Sequence, residues 1–340
     1  MQDFKIGKFL VNNSSPAIII AEAAVEHLGS IHAAKRMADA ALECGADIIK
    51  YQMHLPEHEM LEGQIKFWGG SLDEILDKYN LSIDDHVELI NYCSKIGIQY
   101  LCTPFCKEAV KVLNSIGVDG YKTGSGELNN FPMMKEIANT KKPVIVSTGM
   151  STESEISATV KFLKNEGVNF LITNCTSIYP SPYNTINLKY ISTMREKFDV
   201  HIGHSDHSQS IWTAIAAIPF GAKVIEKHFT LSKALKGPDY EVSLEPINFK
   251  LMVDGIRAVE AAIGTGEKEI FNDEVNVRKW AHHSIVTTKP IKKGEILSLD
   301  NVSVKRPGGG IPSSLLSDVL GKVAAKDIEI NYQLKMSDLI

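Results

Sequence analysis

The stretches 200-VHIGHSD-206, 208-SQSIWTAIAAIPFG-221 and 223-KVIEKHF-229 read as strand, helix and strand. The outer two are short β-branched runs ending in polar residues, and the middle one is apolar at helical spacing. Two strands joined by a helix make a βαβ unit, the building block of parallel sheets. Upstream the same alternation recurs. Further strand candidates are 17-AIIIAE-22, 46-ADIIKYQ-52, 98-IQYLCTP-104, 119-DGYKTGSG-126, 143-PVIVSTG-149 and 169-NFLITNC-175. Helical-period segments include 32-HAAKRMADAALEC-44, 106-CKEAVKVLNSIG-117, 153-ESEISATVKFLKNEG-167 and 246-PINFKLMVDGIRAVEAAIG-264. About eight alternations favour a closed (β/α)8 TIM barrel over an open doubly wound sheet.

The pattern changes after Gly264. Residues 265–283 are polar and read as an irregular linker, and 284-SIVTTKPIKKGEILSLDNVSVKRPGGG-310 alternates short strands with Gly and Pro turns. The expected organisation is a barrel over 1–264, a linker over 265–283 and a small β-rich domain over 284–340. A domain of that size has little core of its own and is expected to lean on the barrel or on another subunit. Across the 340 residues the net charge is -5, which leaves no electrostatic footprint for nucleic acid or for an anionic membrane. No apolar run approaches the roughly 20 residues needed to cross a bilayer. The cysteines Cys44, Cys93, Cys102, Cys106 and Cys175 are scattered, as reduced thiols of a cytoplasmic protein would be.

Barrels of this class build their active sites at the C-terminal ends of the strands. The polar residues there are Glu22, Lys50, Gln52, Thr103, Lys122, Ser125, Ser147, Ser177, Tyr179, Ser205, Asp206, His207, Glu226 and His228. His207 and His228 end consecutive strands, so they are placed to share one divalent ion; imidazole suits Mn, Fe, Co or Zn. His201 and His204 lack such a partner and read as structural. Lys50 and Lys122 lie in apolar strands, where a buried ammonium needs an anion. With the hydroxyls of Thr103, Ser125, Ser147 and Ser205 and the amides of 123-TGSGE-127 they suit a phosphate. A salt bridge to Glu22 or Glu226, or a Schiff-base lysine, are the alternatives. Glu22 is a general base, a partner for substrate hydroxyls or a salt-bridge acid. Asp239, in the loop 237-GPDYEVSLEP-246, is a solvated acid or a site residue.

Taken in order, 21-AEAAVEHLGS-30, 50-KYQ-52, 103-TPF-105, 121-YKTGSGELNNFP-132, 147-STGM-150, 175-CTSIYP-180, 205-SDH-207, 226-EKHFTL-231, 237-GPD-239, 243-SLEP-246 and 304-VKRPGGG-310 resemble the sialic acid synthases. Those enzymes condense phosphoenolpyruvate with an N-acyl hexosamine to give nonulosonic acids. The resemblance implies a small antifreeze-like (SAF) C-terminal domain, exchanged between the subunits of a homodimer. It implies that His207 and His228 bind Mn2+ or Mg2+ and that Glu22 is a catalytic acid/base. Lys50, Thr103, Lys122, Ser125, Ser147 and Ser205 would hold phosphoenolpyruvate, with Gln52, Tyr179, Glu226 and Asp239 facing the sugar. Arg306 would reach the sugar's N-acyl group in the partner's site. The expected acceptor is N-acetylmannosamine, giving N-acetylneuraminate with phosphate lost by C–O cleavage. The alternative is a legionaminate or pseudaminate synthase using a 2,4-diacetamido-trideoxy hexose. A class I Schiff-base aldolase and a catalytically silent sugar-binding protein are more distant readings. Two departures stand out: Glu26 precedes His27 where the family commonly has Asn, and Ser177 stands where some members have Asn.

Overall fold

The computed structural model describes residues 1–67 and 70–340, in two compact units, Met1–Gly264 and Thr265–Ile340. The first contains eight parallel strands: β1 Ile18–Ala24, β2 Ile48–Met53, β3 Gln99–Pro104, β4 Tyr121–Thr123, β5 Val144–Ser147, β6 Phe170–Cys175, β7 Ile202–Asp206 and β8 Ala222–His228. Their order is β3-β2-β1-β8-β7-β6-β5-β4, so β1 pairs with β8 and the sheet curls into a nearly closed barrel. All eight strands coincide with the runs read from the sequence.

Strand alternation sorts the side chains into two cores. One face of each strand packs against the helices, through residues such as Ile19, Ala21, Ile49, Val146, Ile172 and Ile225. The opposite face fills the barrel interior with Ile18, Ile20, Ile48, Leu101, Ile145, Leu171 and Val224. An N-terminal hairpin, Phe4–Ile6 with Phe9–Val11, adds Phe4, Ile6 and Val11 to that interior cluster. The interior is therefore apolar on the side of the strand starts. Two residues further along the same face come Glu22 after Ile20, Lys50 after Ile48, Thr103 after Leu101, Ser147 after Ile145 and Glu226 after Val224. A period of two thus converts a hydrophobic plug into a polar mouth within one pleat.

The helices that follow the strands include those read from the sequence, α1 Ile31–Glu43 among them, together with Ile83–Ile96, Phe131–Thr140 and Lys189–Phe198, which that reading did not name. Capping boxes fix the starts of two: Ser82 with Asp85, and Thr152 with Glu155 ahead of Glu153–Asn165. Between β2 and Ile83–Ile96 the chain makes an excursion containing the short helices Pro56–Glu59 and Leu72–Tyr79.

In the second unit, the segment expected to be an irregular linker forms the helix Asn272–Ala281. The Glu274 carboxylate accepts the Phe271 N–H at 3.0 Å, and Arg278 and Lys279 occupy the last turn, so both ends complement the helix dipole. Beyond it Ser284–Thr287 pairs antiparallel with Val302–Lys305. Ile285, Ile291, Leu297, Val302, Ile311, Val319, Ala324, Ile328 and Leu334 form a buried cluster, so this small unit has a core of its own, contrary to the expectation from its length. Phe271 at its N-cap and Val277 and Trp280 on the helix stay exposed.

Candidate active site

The polar mouth opens into a cavity of about 300 Å3 bordered by Glu22, Lys50, Gln52, Thr103, Lys122, Ser125, Ser147, Ser177, Tyr179, Ser205, His207, Glu226 and His228. Residues from all eight strands or the turns just past them thus converge on one space.

Its centre is a buried lysine–carboxylate cluster. Lys50 Nζ lies 2.6 Å from Glu22 Oε2, donates to Thr103 Oγ1 at 2.9 Å and stands 3.9 Å from Glu226 Oε2. Lys122 Nζ lies 3.4 Å from Glu226 Oε1, which also accepts from Ser205 Oγ at 2.8 Å. The salt-bridge alternative is therefore realised for both lysines. Glu226, expected towards the sugar, spends its carboxylate between the lysines and Ser205. The two carboxyls are driven apart: burial pushes Glu22 above the ordinary range, with Lys50 opposing. Burial pushes Glu226 the same way, but Lys122 and Lys50 outweigh it and hold its carboxyl below the ordinary range. One acid keeps its charge while its neighbour is poised to carry a proton near neutrality.

Beside the lysines the hydroxyls converge. Ser125 Oγ and Ser147 Oγ are 2.8 Å apart, and the buried Ser177 Oγ makes no hydrogen bond. A Cβ on Gly149 would stand 2.3 Å from Ser177 Oγ and 2.5 Å from Ser125 Oγ, so glycine is what leaves these hydroxyls room. Ser177, the second departure noted in the sequence, thereby brings an unpaired hydroxyl to this group.

His207 and His228 face each other with ring centroids 5.3 Å apart. His207 Nδ1 meets the Thr176 carbonyl at 2.8 Å, which makes Nδ1 the protonated nitrogen and turns the Nε2 lone pair inward, where it accepts from Tyr179 O–H at 2.9 Å. His228 Nδ1 is buried without a hydrogen-bond partner, with Asp239 Oδ2 3.6 Å away. Burial, reinforced by His207, holds His228 well below the usual imidazole range, in the neutral form that a metal needs. Among the described residues no group of three or more His, Cys, Asp or Glu is set to hold a metal. The donor set is two imidazoles, which fits an ion that takes its remaining ligands from water and substrate oxygens.

Sequence position alone misassigns one rim residue. Asp206 points away from the cavity: its Oδ2 accepts from Lys227 Nζ at 3.1 Å and Thr213 Oγ1 at 2.8 Å, and its Oδ1 from the Ser208 N–H at 2.9 Å. The reason is the register, in which Ser205 pairs with Glu226 on the inner face and Asp206 with Lys227 on the outer. His204 shares that outer face, its Nδ1 3.1 Å from the Asn174 carbonyl. Arg306 belongs to the second unit, where it is exposed with its guanidinium 5.7 Å from the centre of the Trp280 ring.

His54, Glu59 and Cys175 escaped the sequence reading as contributors, and the contacts of Gln52 and Glu26 go beyond it. Gln52 Nε2 donates to Glu22 Oε1 at 3.2 Å, and His54 bridges Gln52 Oε1 and Glu59 Oε1, each at 3.0 Å, so a hydrogen-bond chain runs outward from the catalytic candidate. Cys175 Sγ lies 3.5 Å from Ser125 Oγ. Glu26 does not line this cavity; its Oε1 accepts the Asp239 N–H at 2.7 Å and so anchors the loop that carries Asp239. A Cβ on Gly237 would come within 2.4 Å of that oxygen, which explains the glycine of the GPD motif.

Known proteins share this arrangement of sequence and fold. Residues 37–268 match the NeuB family and residues 282–340 the SAF domain. An N,N'-diacetyllegionaminic acid synthase of Campylobacter jejuni is 37% identical over 91% of this chain and 96% of its own. A pseudaminic acid synthase of the same species is 36% identical over 98% of this chain and 99% of its own. The crystal structure of N-acetylneuraminic acid (sialic acid) synthetase from Leptospira borgpetersenii superposes with a TM-score of 0.73 at 29% identity, covering 81% of this chain and 95% of that one. The resemblance read from the motifs is thus borne out across both units. The chain belongs to the NeuB family and carries a SAF domain at its C-terminal end.

Proposed function

We propose that this protein is a nonulosonic acid synthase that condenses phosphoenolpyruvate with an N-acyl hexosamine, N-acetylmannosamine giving N-acetylneuraminate being the parent reaction. The observation that carries the reading is the pair of buried lysines, Lys50 and Lys122, opening onto a cavity shared with His207 and His228. A silent binder has no need of two buried ammonium groups exchangeable between carboxylates and a ligand.

In the unliganded cluster Lys50 and Lys122 balance Glu22 and Glu226. An arriving phosphoenolpyruvate draws the lysines towards its phosphate and carboxylate, while Thr103, Ser125, Ser147 and Ser205 donate hydroxyl hydrogen bonds. Separation from Lys50 raises the proton affinity of Glu22 further, so a proton taken up there offsets part of the added negative charge. Gln52, Tyr179 and Asp239 then meet the sugar, held with its aldehyde carbon against C3 of phosphoenolpyruvate; such orientation is worth roughly 7–11 kcal/mol in favourable cases. A Mn2+ or Mg2+ ion held by His207 and His228 would supply polarisation of the aldehyde oxygen. C3 bonds to the aldehyde carbon as Glu22 gives its proton to the developing hydroxyl, water adds at the C2 cation with Glu22, now a carboxylate, accepting its proton, and the C2–O bond to phosphate breaks with the C2 hydroxyl proton leaving on phosphate, to give the 2-keto acid.

Arg306 is assigned to the sugar's N-acyl group in a partner subunit's site, within a domain-swapped homodimer. The exposed apolar helix of the second unit supports an association of this kind. A mixture of His207→Ala and Arg306→Ala subunits would regain activity in a swapped dimer, since one of its two sites receives both intact residues; no regain contradicts the swap. The chemistry is tested with phosphoenolpyruvate carrying 18O in its C–O–P bridge. The reading predicts a nonulosonic acid product with the label in phosphate; label retained in the keto acid overturns C–O cleavage, and no nonulosonic acid overturns the reaction.

A further inference from the structure

The catalytic space continues outward. Past Gln52, Phe105, Tyr179 and His228, which border both spaces, lies a second chamber of about 470 Å3. One wall is the excursion after β2, which contributes Met60, Ile65, Leu72, Ile75 and Leu76. The chemistry of the two spaces is opposite. Lys50 and Lys122 both border the inner one, whereas among the described residues no lysine or arginine lines the outer one. Besides Gln52, Tyr179 and His228, the polar residues that line the outer chamber are Glu59, Asp239, His54 and Glu127, the last of which also borders the inner space. His54 has no nitrogen to spare, because each is 3.0 Å from an acceptor oxygen of Glu59 or Gln52, and its ring is stacked on Phe105 at 4.1 Å.

Resting on the synthase reading above, we propose that this excursion selects the acceptor, admitting an uncharged N-acyl hexosamine whose distal carbons carry apolar groups, such as methyl or the methyl of an acylamido substituent, and rejecting a sugar phosphate. Apolar groups gain by leaving water against Met60, Leu72 and Ile75. A phosphate there meets the carboxyl groups of Glu59, Glu127 and Asp239 and loses its hydration with no lysine or arginine among the described lining residues to replace it. The acids suit sugar hydroxyls instead, which donate to carboxylate oxygens. The inner space, with its lysines, takes the anionic substrate, so the two chambers sort the two substrates by charge.

The test uses the full-length protein with Mn2+ and saturating phosphoenolpyruvate, measuring phosphate release with N-acetylmannosamine, N-acetylmannosamine 6-phosphate and a 2,4-diacetamido-2,4,6-trideoxyhexose. Like charges brought together in a partly desolvated site cost several kcal/mol, so the uncharged sugars should exceed the 6-phosphate by about 100-fold or more in kcat/KM. Ile75→Arg, which puts a cation on the wall, should narrow that ratio at least about tenfold while leaving the KM for phosphoenolpyruvate unchanged. Should that variant fail to fold, Ile65→Arg at an exposed position on the same wall carries the same expectation. Equal use of the 6-phosphate, or a ratio indifferent to both substitutions, overturns the inference while leaving the synthase reading intact. Phosphate release with none of the three sugars overturns the synthase reading and this inference together.

Discussion

Two buried lysine–carboxylate groups meet at β8, where Glu226 and Lys227 are one residue apart on opposite faces, and they differ in what surrounds them. On the inner face Glu226 shares its charge with Lys122 and Lys50, next to open space, and its Oε2 makes no hydrogen bond. On the outer face Asp206 is saturated by Lys227, Thr213 and Ser208, and it lines neither of the two cavities described above. Burial is nearly identical, so burial alone does not mark a functional charge. What separates the two is spare capacity: an inner partner can be exchanged for a ligand, whereas an outer one can be lost only at the cost of an unpaired charge. The outer pair also flanks His207 and His228 in sequence, so it fixes the strand ends that aim both imidazoles inward.

Substitutions should divide along that line. Glu22→Gln keeps the hydrogen-bonding shape but removes the acid, and should lower kcat by about 10²–10⁴ with an unchanged melting curve; a variant of near wild-type turnover would place the proton transfer elsewhere. Lys227→Met should do the reverse, costing about 3–5 kcal/mol of stability in denaturant titrations because Asp206 is left buried and unpaired. Pairing it with Asp206→Asn should restore much of that loss; a double variant as unstable as the single one would contradict the ion-pair account. Lys122→Ala should raise the KM for phosphoenolpyruvate about 10–100-fold, the worth of a charge-assisted hydrogen bond, with little effect on the KM of the sugar. A change confined to the sugar would reverse the assignment of the two sides.

The smallest effect is expected at Glu26. Burial raises its carboxyl to about 7 from an ordinary 4.5, so the folded protein holds this proton more tightly than the unfolded chain does. Its contribution to stability is therefore fully present below the unfolded value and declines as pH rises through the folded one. Glu26→Gln keeps the acceptor for the Asp239 N–H and removes the titration. Relative to wild type the variant should gain on the order of 2 kcal/mol between pH 4.5 and pH 8; a difference that does not vary with pH would mean Glu26 is not buried as an acid.

The strands were legible because parallel strands covered on both faces leave uninterrupted β-branched runs. Placement at the barrel mouth followed from the ends of those runs, which is why Glu22, Lys50, Lys122, His207 and His228 fall together as the sequence suggested. Asp206 was misread because a strand end gives position along the axis, while the face depends on register with β8. The helix Ile83–Ile96 was not named because the excursion separates it from β2, and Asn272–Ala281 because its apolar residues follow no buried face. Glu26 and His54 could not be assigned from sequence at all. Their roles depend on Asp239, far along the chain, and on Glu59 within the excursion after β2.

The most direct measurement is phosphate release from phosphoenolpyruvate by the purified protein, with Mn2+ and N-acyl hexosamine supplied together and each omitted in turn, and with EDTA as a further control. The account predicts release with both present and loss of it when either is withheld or the metal is chelated. Release that persists without the sugar, or in EDTA, would contradict a cavity in which the lysine cluster and the histidine pair act on two substrates at once.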